Sequence, residues 1–247
     1  MKKKIVVLSG AGMSAESGIS TFRDTNGLWY NYKVEEVATP EGFAKNPELV
    51  LEFYNHRRKE LLTVQPNLGH YGLAALEKDF EVEIITQNVD NLHERAGSSS
   101  VLHLHGELMK SCSVHNRNRV YDISPDHPEI HLGDKDSHGD QLRPFIVWFG
   151  EAVPMIEPAM RIVKSADILV VIGTSLNVYP AAGLLDYVRK RTPVYLIDPN
   201  EVKTHHIDIH IIKSGASEGV KQLTALLQKY IDLPDNDKVK AIQTIHP

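Results

Sequence analysis

The stretch "IVVLSGAGMSAESG", residues 5–18, joins four apolar residues to a loop of glycine, alanine and serine. A short β-branched run followed by glycines is typical of a buried strand that ends in a tight turn. The Gly10-x-Gly12-x-x-Ala15 spacing fits the dinucleotide-binding turn, where glycines let the backbone approach a pyrophosphate. An ordinary strand-to-helix turn is the alternative. A signal peptide is disfavoured, because its apolar core would need roughly 7 to 15 residues.

Runs of this kind recur along the chain, and helical patterns separate most of them. They cover residues 5–9, 82–88, 167–175, 193–198 and 207–213. Near-continuous apolar strands are buried on both faces, which is typical of a parallel sheet between helical layers. The pattern therefore predicts a doubly wound α/β fold.

Two intervals depart from this alternation. Residues 30–65 have helical spacing of apolar positions, and residues 110–142 are polar and rich in His, Asp, Gly and Pro. We expect both intervals to leave the sheet and meet in a small domain. The remaining ranges are 1–29, 66–109 and 143–231 for the large domain, and 232–247 for a C-terminal tail.

The composition limits the classes of partner. The chain has 247 residues and a formal net charge of -5, so neither nucleic acid nor an anionic membrane is the expected partner. No apolar stretch approaches the roughly 18 residues of a membrane span. Cys112 is the single cysteine, which excludes a disulfide within the chain and a zinc site built from cysteines. We expect a cytoplasmic protein, and its oligomeric state stays open.

Polar residues follow three of the predicted strands. "TQNVDN" follows the strand at 82–86, "GTSLN" follows the strand at 167–172, and Asp198 ends the strand at 193–197. Open α/β sheets bind ligands at the carboxyl ends of their strands, so these edges and the glycine loop predict a ribose and phosphate site. A standard dehydrogenase is disfavoured, because Asp24, at the separation where that class has an acidic residue, falls in "STFRDTNG", whose composition predicts a loop rather than a strand end.

Five motifs in this order resemble the sirtuins, the NAD-dependent protein lysine deacylases. They are "GAGMSAESGISTFRD", "TQNVDNLHERAG", "HLHGEL", "VWFGE" and "GTSLNVYPAA". The resemblance implies a large Rossmann-like domain with a parallel sheet and a small domain formed by two insertions. It also implies NAD as co-substrate, acyl-lysine proteins or peptides as partners, and nicotinamide and O-acyl-ADP-ribose as products.

The resemblance also assigns roles to individual residues. His105 matches the general base, and Asn88 and Asp90 match the motif around the nicotinamide ribose. The residues implied in cofactor binding are Gly10, Ala11, Gly12, Phe22, Arg23, Gln87, Asn88, Asp90, Gly173, Thr174, Ser175, Asp198 and Ala216. The segment implied to pair with the substrate peptide consists of Val147, Phe149, Gly150 and Glu151.

Periodicity does not choose the base. In "VLHLHG" an extended backbone places His103 and His105 on the same face, so both stay open. Only the following Gly106, as part of the family motif, selects His105. A histidine with an ordinary pKa of about 6.5 is largely neutral at about pH 7, and it can accept a proton.

Tyr54 and Arg57, in "EFYNHRR", are three residues apart and share a face of the predicted helix. A phenol hydroxyl and a guanidinium suit a carboxylate, and the pair resembles the Tyr-x-x-Arg of sirtuins that remove succinyl, malonyl or glutaryl groups. The small Ala38 upstream would leave space for the acyl end. In the alternative interpretation, Arg57, Arg58 and Lys59 form a solvated helix face.

Most sirtuins hold a structural zinc with four cysteines, whereas residues 110–142 contain only Cys112. The nearby histidines match no zinc-ligand spacing, so we expect no bound metal and a small domain held by polar and ionic contacts. Two other functions stay open, namely ADP-ribosyl transfer to protein and a non-catalytic module that binds NAD or ADP-ribose. A pure binding module would need neither His105 nor a segment that pairs with a peptide.

Overall fold

The computed structural model describes residues 2–19, 32–176, 179–202 and 208–231. Phe22 and Arg23, two of the predicted cofactor contacts, lie outside these ranges, as does the predicted tail at 232–247. Within the described ranges, no helix is long and apolar enough to cross a bilayer. The cytoplasmic location stays a prediction.

The strands and helices follow the order that the apolar runs indicate. The strands are β1 Lys4–Ser9, β2 Glu81–Thr86, β3 Val101–His103, β4 Gly106–Ser113, β5 Val120–Asp122, β6 Leu142–Ile146, β7 Ile168–Ile172, β8 Val194–Ile197 and β9 Ile209–Ile212. The α-helices are α1 Gly12–Ala15, α2 Val34–Val37, α3 Pro40–Lys45, α4 Pro47–Thr63, α5 Leu68–Ala75, α6 Leu92–Arg95, α7 Ile156–Ser165 and α8 Ala216–Ile231. Leu76–Lys78 and Ala181–Tyr187 are 3-10 helices.

The larger sheet is parallel, with strand order β3-β2-β1-β7-β8-β9. The chain runs outward from β1 to β3 and later returns to the other side of β1. Such a reversal leaves a crevice at the carboxyl ends of β1 and β7, where α/β sheets bind ligands. The predicted α/β class with a parallel sheet is confirmed.

Both faces of this sheet are covered, and β1 illustrates how. Ile5 and Val7 pack in the cluster that contains α5 and α8, whereas Val6 and Leu8 pack in the cluster that contains α7 and the second 3-10 helix. All four side chains are buried. A strand buried on both sides reads as a continuous apolar run, which is why the sequence predicted it.

A second, smaller sheet is antiparallel and has the order β5-β4-β6. It begins and ends a few residues outside the predicted interval 110–142, and α4 packs against it through Phe53, Leu108 and Ile146. The sequence did not predict β4 and β5 as strands, because their neighbourhood is polar and has no clear alternation. We call this sheet with α2, α3 and α4 the small lobe, and the parallel sheet with α5, α7 and α8 the large lobe. The exact domain boundaries stay a prediction.

Candidate active site

Two glycine loops meet where β1 and β7 end. A Cβ atom on Gly12 would lie 2.8 Å from the Cα of Gly173, and a Cβ atom on Gly173 would lie 2.2 Å from the backbone nitrogen of Met13. Gly173 also has a φ of 61°, a conformation that favours glycine. The amides of Gly10 and Gly12 donate to the carbonyls of Ile172 and Gly173. This contact brings bare backbone to the strand ends, as a pyrophosphate site requires.

A buried polar network lies beside the first glycine loop. Ser14 Oγ donates to Asp90 Oδ2 at 2.9 Å, and Asn88 Nδ2 donates to Ser14 Oγ at 3.0 Å. The second oxygen of Asp90, Oδ1, accepts from the backbone of Leu92. Burial raises the pKa of Asp90, and the bonds from Leu92 and Ser14 offset part of that shift. The network fixes Asn88 and Asp90 relative to the loop after β1.

Other predicted cofactor residues lie along the same edge of the sheet. Gln87 Nε2 donates to Thr174 Oγ1 at 3.1 Å, which joins the loops after β2 and β7. Asp198 follows β8 and is buried, and its Oδ1 accepts from the backbone of Asn200. The structure therefore brings together the strand ends that carry Gly10, Ala11, Gly12, Gln87, Asn88, Asp90, Gly173, Thr174, Ser175 and Asp198. Ala216 begins α8 and is buried.

The two candidate histidines, His103 and His105, differ in their hydrogen bonds, and His105 has the environment of a base. Its Nδ1 lies 3.0 Å from the carbonyl oxygen of Gln87. A carbonyl only accepts, so Nδ1 carries the proton and Nε2 presents a lone pair. In the described part of the chain, Nε2 has no hydrogen-bond partner. Burial lowers the pKa of His105, and the bond to Gln87 offsets part of that effect. His105 is thus a neutral imidazole arranged to accept a proton at Nε2.

His103 has the opposite environment. Its Nδ1 lies 3.0 Å from the carbonyl oxygen of Asn88, and its Nε2 lies 2.7 Å from a carboxylate oxygen of Glu94. Both partners are acceptors, so both ring nitrogens donate and the ring has no lone pair to offer. Burial alone would lower the pKa of His103, but the hydrogen bond and charge of Glu94 raise it overall. This geometry suits a structural cation rather than a base.

The predicted peptide-pairing segment connects the base to the small lobe. The amide of Val147 donates to the carbonyl of His105 at 2.8 Å, and the amide of Phe149 donates to the carbonyl of Ala38 at 2.9 Å. Phe149 is 48 % exposed, and Gly150 is also exposed. The segment therefore presents an apolar ring at the surface, two residues after the backbone bond to His105.

Glu151, at the end of this segment, faces inward toward arginines of its own chain. Its carboxylate accepts from Arg143 at 2.8 and 3.2 Å and from Arg117 at 3.1 Å. It also accepts from the backbone of Trp148 at 2.8 Å. Burial would raise the pKa of Glu151, but the bonds from Arg143 and Trp148 lower it overall. The predicted contact of Glu151 with substrate stays a prediction.

Tyr54 and Arg57 lie on α4 beside the same segment. The phenol oxygen of Tyr54 accepts from Trp148 Nε1 at 3.0 Å, and the guanidinium carbon of Arg57 lies 5.9 Å from the centroid of the Tyr54 ring. Burial raises the pKa of Tyr54 and lowers that of Arg57. The alternative of a solvated face is wrong for Arg58, which is fully buried and donates to the carbonyls of Pro128 and Leu108.

A zinc ion does not fit the small lobe as the sequence builds it. The guanidinium of Arg119 lies between two carboxylates, 3.1 Å from Asp136 and in contact with Asp140, and it also donates to Ser113. Cys112 is buried, and its thiol contacts a backbone carbonyl. Across the described ranges, no three His, Cys, Asp or Glu side chains gather as a metal site. The absence of zinc stays a prediction.

Two residues outside the predicted site set belong to this region. Ser14 lies in the glycine loop, and its hydroxyl joins Asn88 to Asp90. Trp148 alternates with the predicted Val147 and Phe149, and that alternation is the signal that it points to the other side of the segment. In the structure that side faces Tyr54.

The fold and the site together define a nucleotide-binding α/β protein, and comparison with known proteins makes the class specific. The chain belongs to the Sir2 family, whose model matches residues 10–180. The family predicted from the five motifs is therefore confirmed.

Several relatives match most of the chain. An NAD-dependent protein deacylase of Bacteroides thetaiotaomicron is 63 % identical over 229 residues, which cover 91 % of this chain and 98 % of the relative. An NAD-dependent protein deacylase of Helicobacter pylori is 48 % identical over 240 residues, 96 % of this chain and 100 % of the relative.

Solved structures agree in fold. A mutant Sir2 homologue in complex with ADP-ribose has a TM-score of 0.85 and 41 % identity, with coverage of 94 % of this chain and 95 % of that chain. A Sir2 homologue in complex with NAD has a TM-score of 0.82 and 40 % identity, with coverage of 94 % and 91 %.

Proposed function

We propose that this protein removes acyl groups from protein lysines with NAD as co-substrate, and that it prefers acyl groups that end in a carboxylate, such as succinyl or malonyl. Family membership and the deacylase relatives support the first part. The juxtaposition of Tyr54 and Arg57 on one face of α4 is the observation that carries the second part.

The glycine loops and the strand-end polar groups fit NAD. A Cβ atom at Gly12 or Gly173 would collide with the facing loop, so only glycines allow the backbone geometry that a pyrophosphate needs. When bound, NAD supplies ADP-ribose as the acyl acceptor and releases nicotinamide. The network of Ser14, Asn88 and Asp90 would hold the nicotinamide end in a fixed orientation and keep water from it. Gln87, Thr174 and Asp198 would contact the ribose and phosphate groups.

His105 moves the proton in this proposal. Its Nε2 accepts a proton from a hydroxyl of the substrate complex, while Nδ1 keeps its bond to the carbonyl of Gln87. That carbonyl stabilises the imidazolium that forms, because a charged donor strengthens the bond. Burial lowers the pKa of His105, so the base form persists below the usual titration range. His103 keeps its role as a cation that ties Asn88 to Glu94.

Acidic acyl groups find complementary chemistry at the side of α4. Tyr54 stays a neutral donor because burial raises its pKa, and the half-buried Arg57 offers a cationic fork. Hydrogen bonds to a charged group contribute about 1.5–3 kcal/mol. An acetyl group ends in a methyl and offers no carboxylate to this tyrosine and arginine, so it lacks the charge-assisted hydrogen bonds that a succinyl group would make.

The segment from Val147 to Glu151 would receive the peptide. Its backbone already bonds to His105 on one side and to Ala38 on the other, so a substrate strand laid along it would present its lysine between the base and α4. The exposed ring of Phe149 supplies apolar contact for the lysine chain or the acyl methylenes. This arrangement would leave the acyl end near Tyr54 and Arg57.

The test is mass spectrometry of matched acetyl-lysine and succinyl-lysine peptides incubated with and without NAD. We expect NAD-dependent loss of succinyl with a higher kcat/KM than loss of acetyl. Arg57→Met should lower the succinyl-to-acetyl ratio by about 10-fold or more, since it removes one charge-assisted contact. Lys59→Met is the matched control, because Lys59 is exposed and pairs with Glu129 at the surface.

Three results would count against this proposal. If the wild-type protein removes acetyl with the same kcat/KM as succinyl, the proposed acyl preference is refuted, but the proposed deacylase activity stands. Transfer of ADP-ribose to the peptide would favour the transferase instead. Binding of NAD without any change of either peptide would favour a non-catalytic module.

A further inference from the structure

We propose that Trp148 is a positioning residue for acyl selectivity. Its indole N–H holds the Tyr54 hydroxyl in the orientation that donates to the acyl carboxylate. This inference rests on the proposed preference for acidic acyl groups and adds a determinant outside the Tyr54 and Arg57 pair. The two partners are 94 residues apart in sequence, with Nε1 3.0 Å from the phenol oxygen.

The chemistry of the two groups fixes the direction of the hydrogen bond between Trp148 and Tyr54. An indole N–H can only donate, so the Tyr54 oxygen must accept it. The hydroxyl hydrogen of Tyr54 then has to point elsewhere, and within the described part of the chain no acceptor receives it. Tyr54 is 1 % exposed and Trp148 is 2 % exposed. An unsatisfied buried donor is costly, and an incoming carboxylate oxygen would accept this hydrogen and remove that cost.

The hydrogen bond that the Tyr54 hydroxyl accepts from Trp148 also makes this hydroxyl a stronger donor. A hydroxyl that accepts a hydrogen bond is polarised and becomes a better donor in a low-dielectric surrounding. Because Tyr54 remains protonated and Arg57 lies beside its ring, the two groups present a donor and a cation together. Without the indole bond, the hydroxyl could rotate and lose this alignment.

Trp148 is itself held by a clamp of charged residues. The guanidinium carbon of Arg143 lies 3.4 Å from the centroid of the indole ring, in cation–π contact. Glu151 accepts two bonds from Arg143 and one from the backbone amide of Trp148. Phe43 covers the ring as well, with centroids 5.2 Å apart. The carboxylate of Glu151 therefore orients the indole, and the indole orients Tyr54.

A purely structural role for Trp148 is the competing explanation, since it belongs to the apolar cluster of the small lobe. The two explanations differ in what they predict for selectivity. Loss of packing lowers the removal of all acyl groups together, whereas loss of the N–H donor affects acyl groups with a carboxylate. The difference should appear mainly in KM for the succinyl peptide.

The experiment measures kcat and KM for succinyl and acetyl peptides with the full chain and NAD. Trp148→Phe should raise the succinyl KM by roughly 5- to 10-fold, the cost of one hydrogen bond, and lower the succinyl-to-acetyl ratio accordingly. Tyr54→Phe should lower that ratio as well. The double variant should be no worse than Tyr54→Phe alone, because both changes remove the same interaction.

Two further variants keep the test decisive. Phe43→Leu reduces the apolar contact on the indole but keeps its N–H and the Glu151 and Arg143 contacts that orient it, so the ratio should stay near the wild-type value. Replacement of Trp148 by benzothienylalanine keeps the bicyclic shape and removes only the N–H, so it should lower the ratio even if Trp148→Phe fails to fold.

The outcomes separate the two proposals. A wild-type protein with no succinyl preference refutes the proposed acyl specificity. A wild-type preference that depends on Arg57 but is unchanged in both Trp148 variants leaves that specificity standing and overturns the role of Trp148. An equal loss of both activities, additive with Tyr54→Phe, also overturns it.

Discussion

The large lobe and the small lobe are stabilised by different interactions. In the large lobe, apolar residues on both faces of each central strand pack against helices. In the small lobe, arginines make the main contacts: Arg58 is fully buried, Arg143 is buried and stacks on an indole, and the partly buried Arg119 lies between two carboxylates. The apolar core leaves the strand ends available for a nucleotide, and the ionic lobe carries Tyr54 and Arg57, the side chains that we propose face the acyl group.

The two lobes should therefore lose their structure under different conditions. Apolar packing and glycine contacts tolerate salt and are sensitive to volume, because interiors are close-packed. Half-buried ion pairs tolerate small changes in volume and are sensitive to loss of one partner. Variants and conditions that act on one kind of interaction therefore test whether the division is real.

The largest effect is expected from Gly173→Ala in the large lobe. The new Cβ would lie 2.2 Å from the backbone nitrogen of Met13, and φ is 61°, so the loops must separate. We expect a loss of roughly 3 kcal/mol or more in the free energy of unfolding and at least a 10-fold weaker affinity for NAD. Urea unfolding and calorimetric titration with NAD measure these quantities.

Gly139→Ala in the small lobe is the matched control. Gly139 also has a positive φ of 86°, but nothing lies within 4 Å of its Cβ position. Only the backbone strain of about 1–2 kcal/mol remains. If the two variants lose equal stability and NAD affinity, the close approach of the loops is not what the site requires.

Acid should weaken the large lobe first. His70 and His93 are buried with rings 4.9 Å apart, and burial lowers their pKa values to about 4 and about 3. The unfolded chain takes up these protons below about pH 6.5, while the folded chain does not. Their contribution to stability is therefore complete above about pH 6.5 and is lost as pH falls toward about 4 and then 3.

Each of the two histidines should reduce the free energy of unfolding by up to about 1.4 kcal/mol per pH unit in that window. The small lobe should respond later, because the bond from Arg119 lowers the pKa of Asp140 below its usual value. Hydrogen exchange at about pH 7 and about pH 5 separates the two lobes. Equal loss of protection in both lobes over this range would contradict the division.

A smaller and local effect is expected from Arg119→Met. The change leaves Asp136 and Asp140 without the cation between them, so the strands β4 and β5 should open more often. We expect amide exchange there to be roughly 10-fold faster, with the large lobe unchanged. Lys59→Met breaks an exposed pair and should have little effect. Spreading of the change into the parallel sheet would mean that the lobes unfold as one unit.

The same division decides what could be predicted from the sequence. The parallel sheet was readable because buried strands such as 168–172 appear as unbroken apolar runs, and the strand-end residues follow them directly. His105 needed a family motif, since alternation treats it like His103, and only their hydrogen bonds tell them apart.

The small lobe was less readable. Trp148 and Tyr54 are distant in sequence, and Arg119 meets carboxylates supplied by another loop. Polar contacts of this kind have no periodicity, so no pattern in the sequence predicts them. The alternative interpretation treated residues 57–59 as a solvated surface, and no pattern in the sequence indicates that Arg58 is inside the protein.

The buried Arg58 has a consequence for how substrate range can change over time. Burial lowers the pKa of its guanidinium to about 10. The guanidinium donates hydrogen bonds to the carbonyls of Pro128 and Leu108, and these bonds fix the rotation of α4 about its axis. The helix that carries Arg57 is therefore held by the side chain of the next residue. Under the proposed function, Arg58 supports α4 and Arg57 selects the acyl group, so we expect a mutation at position 57 to change the acyl preference while the fold is inherited.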